Sequence, residues 1–576
     1  MRSVESGLRL AWYGLACLLA VFIYFFGLDS QHIPKNGDEY PYEHITRLTA
    51  SSGRLLPLQS QLDNMRNTKP PLLFWQGIAS TDHGKNWSLW NLRYPSAIYT
   101  LLTASMLFML GWRLTSKPET GLVGALTFLA FFSTYRFGRP FLTDPPEVFW
   151  IFVPFSVLLY WRKGFASQWV IPLLIGISIG IGMLYKSFAL GVPVTFALAG
   201  WYFHQRQYPV AEFVKRDGPK VAIAVLVAIS MFALWFVLDP DPQAVWKEFV
   251  IGENVGKFDP HGPGYLEKLL WGGSSIWSYA LAFLTNPGLL MFPVVGVFFV
   301  AYLRRHQLSN EEKLLWIWIA VMFLCFALPS QRSGRYLLPA MPAVALLCAL
   351  NWQQISRKTF LASLVLALLL IAGIAYLAMQ LQAEMADVKM YGWMFWGLIA
   401  GAGMLALLAI VVPAFTRGCV NVVALLVLLC FAAFLRPFDG PLGNFSEEAK
   451  RYASGKDVAV PCNFRAMDEG HRFMLPGAEI RGYSEDQNLT PSDLAVRYPI
   501  FAVRLALNDS TQKGGCGACK MIGQRLDIRG RQSPAELKEM ILEGKVFQHL
   551  FVRELLMESP SGDKVMPNQT PAQTCR

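Results

Sequence analysis

Charged residues are scarce in this chain of 576 residues, because only 16% of them are Asp, Glu, Lys or Arg. Hydrophobic residues make up 53% and aromatic residues 14%, and the mean hydropathy is +0.34. Soluble proteins carry a larger charged fraction, so the composition excludes an ordinary soluble enzyme. A repeat of fixed period and low-complexity tracts are also missing, which excludes solenoid and repeat architectures. The sequence therefore indicates a polytopic α-helical membrane protein.

Apolar runs recur along the chain, and about thirteen of them approach the roughly 20 residues that a membrane-spanning helix needs. With the N-terminus in the cytoplasm, the inward connections hold fourteen Lys and Arg against five Asp and Glu. This distribution follows the positive-inside rule, so the net charge of +11 indicates topology and not nucleic-acid binding. No small-residue cleavage pattern follows "FIYFFGLDS", which favours a retained signal anchor. An odd number of spans sends the C-terminus outward.

Two domains are predicted. Residues 1–435 form the transmembrane domain, with long outward loops at 29–94 and 239–276 that are rich in aromatic residues, Pro and Gly. Residues 436–576 form an extracytoplasmic α/β domain. In this tail, "SEEAKRYASGKDVAVPCNF" predicts a helix and a strand, and "YPIFAVRLALN" predicts a strand. "SPAELKEMILEGKVFQHLFVRELLM" predicts one helix, opened by a capping box of Ser533 and Glu536.

Carboxylates and cations collect on the predicted outward face. "KNGDEYPY" holds Asp38 and Glu39, and "NTKPPLLFW" holds Lys69 on a backbone that the prolines keep extended. Further candidates are Arg139 and Asp144 in "GRPFLTDPPEVFW", Glu253, Lys257 and His261 in "IGENVGKFDPHG", and Arg332, Arg335 and Tyr336 in "PSQRSGRYLLPAMP". "TDPP" predicts a rigid turn at Asp144.

This mixture of charges suits a reaction on a lipid-linked phosphate. Cations bind the phosphate leaving group, while a carboxylate removes a proton from the attacking hydroxyl. A single exposed charge is more often solvated or structural, so the pattern as a whole carries the prediction.

Two other classes of membrane protein are alternatives to an enzyme. A transporter or lipid flippase has many spans, but it places ionisable residues near the middle of the membrane and shows pseudo-symmetric halves. A non-catalytic assembly protein does not need carboxylates paired with phosphate-binding cations. The clustering of both charges at one face favours the enzyme.

Four cysteines lie in the tail: Cys462, Cys516, Cys519 and Cys575. "GGCGACK" brings two of them to CxxC spacing, which permits a structural disulfide, a redox pair or half of a zinc site. No second CxxC is present, so a disulfide is favoured. Four cysteines permit three pairings, and the sequence does not choose among them.

A resemblance to a known family is carried by several segments in order. The succession "GDEY", "SSGRLLPLQ", "NTKPPLLFW", "LRYPSA", "FLTDPP", "FVIGENVGKF" and "RSGRYLLPAMP" resembles the bacterial polyprenyl-phosphate-sugar glycosyltransferases of the GT-C fold. Within them it resembles most the lipid A aminoarabinose transferase group, which is related to the protein O-mannosyltransferases. The resemblance covers nearly all of the membrane portion.

The resemblance implies a multi-pass glycosyltransferase of the bacterial inner membrane, with its active site facing the periplasm. It implies transfer of a hexose or pentose from undecaprenyl phosphate to a cell-envelope acceptor such as lipid A. Protein O-mannosylation and polysaccharide modification remain the enzymatic alternatives.

The resemblance also assigns roles to residues. Asp38 is the expected base or acceptor-positioning carboxylate, supported by Glu39 and Asp144. The expected donor-phosphate contacts are Lys69, Lys257, Arg335 and Tyr336, where Lys257 replaces an Arg that relatives often have. Arg139, Glu253, His261 and Arg332 are further site candidates. A divalent metal at Asp38 and Asp144 stays open, but no His lies at ligand spacing to either. Thr68 also replaces the glutamate that often precedes Lys-Pro-Pro, which makes metal assistance less favoured.

Overall fold

The computed structural model describes residues 2–560 with internal gaps. The gaps are 34–35, 63–64, 161–168, 207–208, 258–263, 273, 385–388, 485–488, 508–514 and 530–531. The described part is mainly helical and ends in one mixed β-sheet.

The N-terminal half contains fifteen helices in the described ranges. They are α1 (Arg2–Phe25), α2 (Glu39–Ser51), α3 (Leu72–Ser80), α4 (Leu89–Thr115), α5 (Pro118–Ala130), α6 (Phe132–Gly138), α7 (Asp144–Tyr160), α8 (Val170–Tyr185), α9 (Gly191–Arg206), α10 (Val210–Arg216), α11 (Gly218–Leu238), α12 (Pro242–Ala244), α13 (Tyr265–Leu270), α14 (Ile276–Ala280) and α15 (Ala282–Thr285). A π-helix at Val245–Asn254 and 3-10 turns at Phe188–Leu190, Val255–Lys257 and Gly288–Leu290 connect them.

The second half continues the helical bundle and then enters the tail. Its helices are α16 (Met291–Leu303), α17 (Asn310–Ala327), α18 (Met341–Leu350), α19 (Arg357–Glu384), α20 (Trp393–Val411), α21 (Pro413–Leu435), α22 (Glu447–Ala453), α23 (Glu469–Met474), α24 (Pro491–Arg497), α25 (Pro534–Leu542) and α26 (Val546–Leu550). Two 3-10 helices, Gly334–Ala340 and Arg436–Asp439, precede α18 and α22.

Six described helices are long and apolar enough to cross a membrane. They lie at Gly7–Phe25, Leu89–Thr115, Gly218–Leu238, Arg357–Ala383, Trp393–Val411 and Pro413–Asp439. The pair Ile276–Thr285 and Gly288–Leu303, bent by 99°, is a seventh if it counts as one span, and shorter apolar helices lie at Val170–Tyr185, Phe188–Trp201 and Gly334–Leu350. The protein is therefore a multi-pass membrane protein, although the predicted count of thirteen spans is not confirmed.

The tail contains a five-stranded sheet. Its strands are β1 (Asp457–Cys462), β2 (Glu479–Ser484), β3 (Ile500–Ala506), β4 (Lys520–Ile528) and β5 (Phe551–Glu558), in the order β2-β1-β3-β5-β4. β1 pairs in parallel with β2 and β3, while β5 pairs antiparallel with β3 and β4. Alternating buried residues of β1, β3 and β5 pack against α22 on one face and α24 on the other. The α/β character of the tail is as the sequence predicts.

The third tail prediction is partly wrong. Ser533 and Glu536 do form a capping box, but the helix they open ends at Leu542. A turn through Gly544, at φ 70°, and the short α26 follow, and "FVRELLME" is strand β5. Pairing with both β3 and β4 satisfies the backbone of this segment, which outweighs the helix propensity of Glu554 and its leucine neighbours.

The turn predicted at Asp144 is also wrong. Asp144 is the first residue of α7, with Pro145 and Pro146 in the first turn of that helix. Proline is accepted there because the first amides of a helix have no internal partner. Asp144 is consequently held at the start of helix α7 and not in a loop.

The tail docks against the outward segments of the membrane domain. Gln31 Nε2 donates to the Gly470 carbonyl at 3.1 Å, and Ser30 Oγ donates to Asp439 Oδ1 at 2.6 Å. Trp87 stacks on Phe473 with ring centroids 6.3 Å apart. These contacts place α23 beside α2, the helix that Asp38 precedes.

Candidate active site

Asp38 is the N-cap residue of α2, but its side chain makes no capping hydrogen bond. Its side chain makes no hydrogen bond to the first amides of α2, the usual role of an aspartate there. Its Oδ2 instead accepts from Arg335 NH1 at 2.5 Å, and its backbone amide donates to Asn36 Oδ1 at 3.1 Å. The carboxylate is 40% exposed. Asp38 therefore presents a half-exposed, oriented carboxylate to the space beyond α2.

Arg335 joins two predicted carboxylates that are far apart in sequence. Besides Asp38, its guanidinium binds Asp144 through both Nε, at 2.9 Å, and NH2. The Cζ atom of this guanidinium lies 5.1 Å from the centroid of the Phe137 ring. Because Asp144 is buried and Arg335 is mostly buried, the bond between them fixes the guanidinium against the end of α7.

Lys186 completes this ion-pair network from the end of α8. Its ammonium lies 2.9 Å from Asp144 Oδ1 and 2.6 Å from Glu147 Oε2, one turn further along α7. Both carboxylates are almost fully buried. A buried carboxylate needs a close cation, so Lys186 and Arg335 together offset the burial of Asp144 and Glu147.

The tail contributes a second cation to Asp38. Arg465, in the turn between β1 and α23, places NH1 3.4 Å from Asp38 Oδ1. Both side chains are about two-fifths exposed. Asp38 consequently has Arg335 on one oxygen and Arg465 on the other, and the second contact is longer and more exposed.

Lys69 pairs with Glu253, another sequence-predicted candidate. The Lys69 ammonium binds Glu253 Oε1 and the Thr68 carbonyl, the latter at 2.9 Å. The adjacent loop is tied to the same π-helix, because Glu248 accepts from the amide of Asn67 at 3.0 Å. The segments predicted as long loops at 29–94 and 239–276 therefore meet at Lys69.

Glu39 points away from Asp38. Its carboxylate receives Arg93 Nε at 2.8 Å and NH2 at 2.7 Å, together with the amide of Phe141 at 2.7 Å. Arg93 also donates to the carbonyls of Leu28 and Ser30. Glu39 and Arg93 are buried, so this bidentate pair holds α2 against α4 and the end of α1.

The next turns of α2 bind the tail through Glu469. His44 Nδ1 lies 2.7 Å from Glu469 Oε1, and Arg47 donates to both Glu469 oxygens at 2.6 and 3.0 Å. Since the Gln61 amide donates to His44 Nε2, the proton of His44 lies on Nδ1. Burial alone would raise the pKa of Glu469, but hydrogen bonds from His44 and Arg47 lower it to about 2.

Glu43 lies between these two pairs. One of its oxygens, Oε2, is buried without a hydrogen-bond partner. Burial, with the neighbouring charge of Glu39, raises the pKa of Glu43 well above its usual range. Glu43 is thus a carboxyl inside the packed face of α2 whose burial favours the neutral form.

A cavity of about 2120 Å³ opens beside Asp38, between the membrane helices and the tail. One wall is aliphatic and comes from α19 and α21: Leu366, Leu369, Leu370, Ile374, Leu377, Val427, Leu428 and Leu435. The charged lining consists of Arg136, Arg335, Arg465, Arg504, Arg525, Arg529, Asp38 and Asp527, which is six arginines against two aspartates. The cavity is therefore apolar toward the bundle and rich in arginine toward the tail, where Arg504, Arg525 and Arg529 pair with Asp527, Glu554 and Glu536.

Of the other predicted site residues, Arg139, Arg332 and Tyr336 do not join the Asp38 network. Arg139 is buried and donates to the carbonyls of Tyr24, at 2.9 Å, and Phe26, so it closes the end of α1. Arg332 donates to the carbonyls of Ala327 and Ser274 at 2.6 and 2.8 Å. Tyr336 packs on Phe326 with centroids 5.7 Å apart. Lys257 ends a 3-10 turn, but its side chain and all of His261 lie outside the described residues.

The remaining sequence predictions concern a metal and the cysteines of the tail. The described ranges contain no group of three or more His, Cys, Asp or Glu side chains arranged to hold a metal ion. Cys516 and Cys519 form a disulfide, which the CxxC spacing favours. Cys462 is disulfide-bonded too, whereas Cys575 lies outside the described residues.

Sequence reasoning missed Lys186, Glu147 and Arg465. Lys186 ends the apolar run "IGIGMLYK" at the predicted outward end of a span, which is a usable signal for an ion at the active face. Glu147 lies one helical turn after Asp144 and shares its face. No local signal marks Arg465, because only the docking of the tail brings it to Asp38.

Comparison with known proteins finds sequences similar to this chain. The family model for dolichyl-phosphate-mannose-protein mannosyltransferase matches residues 36–239. An undecaprenyl phosphate-alpha-4-amino-4-deoxy-L-arabinose arabinosyl transferase of Pseudomonas fluorescens is 26% identical over 403 residues, covering 66% of this chain and 68% of that protein. The enzyme of that name from Sodalis glossinidius is 24% identical over 375 residues, covering 62% and 61%.

A solved structure has the same fold. The crystal structure of ArnT from Cupriavidus metallidurans bound to undecaprenyl phosphate superposes with a TM-score of 0.62 and 14% identity, covering 96% of this chain and 99% of that one. The apo structure of that protein gives a TM-score of 0.56. The chain therefore has the fold of that structure, and its sequence is similar to the undecaprenyl-phosphate aminoarabinose transferases and, over residues 36–239, to the protein mannosyltransferases.

Proposed function

We propose that this protein transfers a sugar from undecaprenyl phosphate, or a similar polyprenyl phosphate, to an acceptor lipid of the cell envelope such as lipid A. The reaction takes place at the periplasmic face of the inner membrane, where Asp38 lies. The observation that carries the proposal is the Asp38–Arg335–Asp144 network at the edge of a cavity that is rich in arginine on one side and aliphatic on the other.

Asp38 acts as the general base in this mechanism. The attacking oxygen of the acceptor loses its proton to the Asp38 carboxylate while it forms a bond to the anomeric carbon of the sugar. The bond between that carbon and the lipid phosphate breaks, and the phosphate keeps the electron pair. A carboxylate that is oriented but still exposed can accept this proton, which distinguishes Asp38 from the buried Glu39.

Lys69 binds the donor phosphate in this scheme. Its ammonium is already oriented by the Thr68 carbonyl, and the phosphate replaces Glu253 as its anionic partner. Lys257, Tyr336 and Arg335 are proposed to add contacts to the phosphate. In the free protein the donors of Arg335 point to Asp38 and Asp144, so Arg335 also orients the base.

The cavity lining favours a lipid acceptor over a protein. An aliphatic wall of α19 and α21 suits acyl chains, and six arginines against two aspartates suit an anionic headgroup. Protein O-mannosylation is the second candidate, supported by the family model over residues 36–239.

A transfer assay with a panel of acceptors tests the proposal. Purified protein in vesicles receives radiolabelled undecaprenyl phosphate sugars together with lipid A, a dephosphorylated lipid A or a serine- and threonine-rich peptide. We expect label to enter a lipid acceptor. Label in the peptide alone would support the second candidate, and no transfer from any donor would contradict both.

A further inference from the structure

Asp38 is flanked by two arginines in the free protein. Arg335 NH1 occupies Oδ2 and Arg465 NH1 occupies Oδ1, so both carboxylate oxygens face guanidinium groups. An acceptor hydroxyl that approaches either oxygen therefore competes with one of these two contacts.

The two guanidinium groups differ in how firmly they are held. Arg335 is anchored to the buried Asp144 by two of its nitrogens and rests on Phe137. Arg465 meets Asp38 at 3.4 Å in a half-exposed pair, a type of contact that contributes little stability. Arg465 is consequently the contact that gives way.

The turn that carries Arg465 aims it into the cavity. Asn463 Oδ1 accepts from the Arg465 amide at 2.9 Å, and the Ala466 amide donates to the Asn463 carbonyl at 3.0 Å. Asn463, Phe464, Arg465 and Met467 all line the cavity. The backbone is thereby fixed, while the long side chain keeps its rotamer freedom.

We propose that Arg465 is a positioning residue that couples acceptor binding to the activation of Asp38. In the free protein its guanidinium holds Asp38 Oδ1. When an acceptor brings an anionic group into the cavity, the guanidinium turns to that anion, and Oδ1 becomes free to take the proton of the attacking oxygen. A neutral acceptor leaves Arg465 on Asp38. The proposal rests on the proposed transfer reaction and adds selection for anionic acceptors by the tail.

The variant Arg465→Ala separates this role from a structural one, because two activities change in opposite directions. Transfer to an anionic lipid acceptor falls about tenfold in kcat/KM, because the contact with the anion is lost. Hydrolysis of the donor by water without acceptor rises severalfold, because Oδ1 is free. Arg465→Lys restores part of the transfer. Arg497→Ala, which changes an exposed arginine of α24 outside the cavity lining, alters neither activity.

Equal losses of transfer and hydrolysis in Arg465→Ala would overturn the proposal, as would two unchanged activities. So would a wild type that uses the dephosphorylated lipid as well as the phosphorylated one. Asp38→Asn, measured in parallel, keeps the two proposals apart. If Asp38→Asn transfers sugar normally the proposed function itself fails, whereas if only the Arg465 outcomes fail the base assignment stands.

Discussion

At the scale of single residues, position relative to the membrane predicts more than residue type. Asp38, Asp144 and Arg335 are separated by more than a hundred positions, yet each lies at the predicted outward end of an apolar run, and they meet in one network. Glu39 is adjacent to Asp38 in sequence, but the helix turns it toward Arg93. The sequence could not separate these two roles, because the direction of each side chain depends on how α2 packs.

Lys69→Ala tests the donor-phosphate contact. Loss of a charge-assisted contact to phosphate raises the KM for the donor by about tenfold, with a smaller change in kcat. Initial rates at varied donor concentration measure the effect. The control is Lys85→Ala, in the same loop, whose side chain is 76% exposed. A donor KM equal to that of the wild type would contradict the assignment.

Lys186→Met tests the buried ion pairs at the end of α7. Removing the ammonium leaves Asp144 with Arg335 alone and takes from Glu147 its 2.6 Å cation. Breaking a buried pair of this kind costs about 3 kcal/mol of unfolding free energy. Thermal unfolding in detergent should show a lower midpoint than Lys215→Met, which changes an exposed lysine of α10. Equal midpoints would mean that Lys186 does not compensate these carboxylates.

At the scale of elements, capping signals are local and were predictable, whereas strand pairing is not. The capping box at Ser533 depends on four residues and is present. The strand at residues 551–558 depends on pairing with β3 and β4. In sequence, β3 ends 45 positions before this strand begins, and β4 ends 23 positions before it. A helix-favouring composition therefore misled the prediction where the partners are distant in sequence.

The contact of Glu469 in α23 with α2 predicts that docking of the tail depends on pH. The pKa of Glu469 falls from 4.5 to about 2 on folding, so its contribution is complete above pH 4.5 and is lost as the pH drops through about 2. Limited proteolysis of the tail across this range should show increasing cleavage at low pH. Glu469→Gln should weaken docking at neutral pH and flatten this dependence. Glu479→Gln, at an exposed position of β2, should behave as the wild type. Equal resistance of the tail to proteolysis in Glu469→Gln and in the wild type would contradict a role of Glu469 in docking.

At the scale of the whole molecule, composition and charge distribution predict a multi-pass membrane protein and its orientation, because both are sums over many residues. The number of spans is harder to predict, since short or bent helices such as Val170–Tyr185 and the 99° pair do not match a fixed length. The cavity between tail and bundle was not predictable, because its walls come from segments at both ends of the chain.

The proposed orientation can be measured by labelling. Arg497→Cys in the tail should react in intact cells, after permeabilisation of the outer membrane, with a thiol reagent that cannot cross the inner membrane. Gln307→Cys, exposed between α16 and α17, should react only after lysis. The five free cysteines are buried or half-buried, and the protein without substitutions gives the background. The opposite pattern would reverse the assigned faces.

The central claim is that Asp38 is the base of a sugar transfer from a polyprenyl phosphate. The most direct measurement is the kcat of Asp38→Asn, since Asn keeps the size and the contact to Arg335 but is not a base. We expect kcat to fall by about 10²- to 10⁴-fold with donor binding retained. Asp29→Asn, at a 60% exposed carboxylate of the same loop, should transfer normally. Undiminished transfer by a folded Asp38→Asn protein would contradict the account.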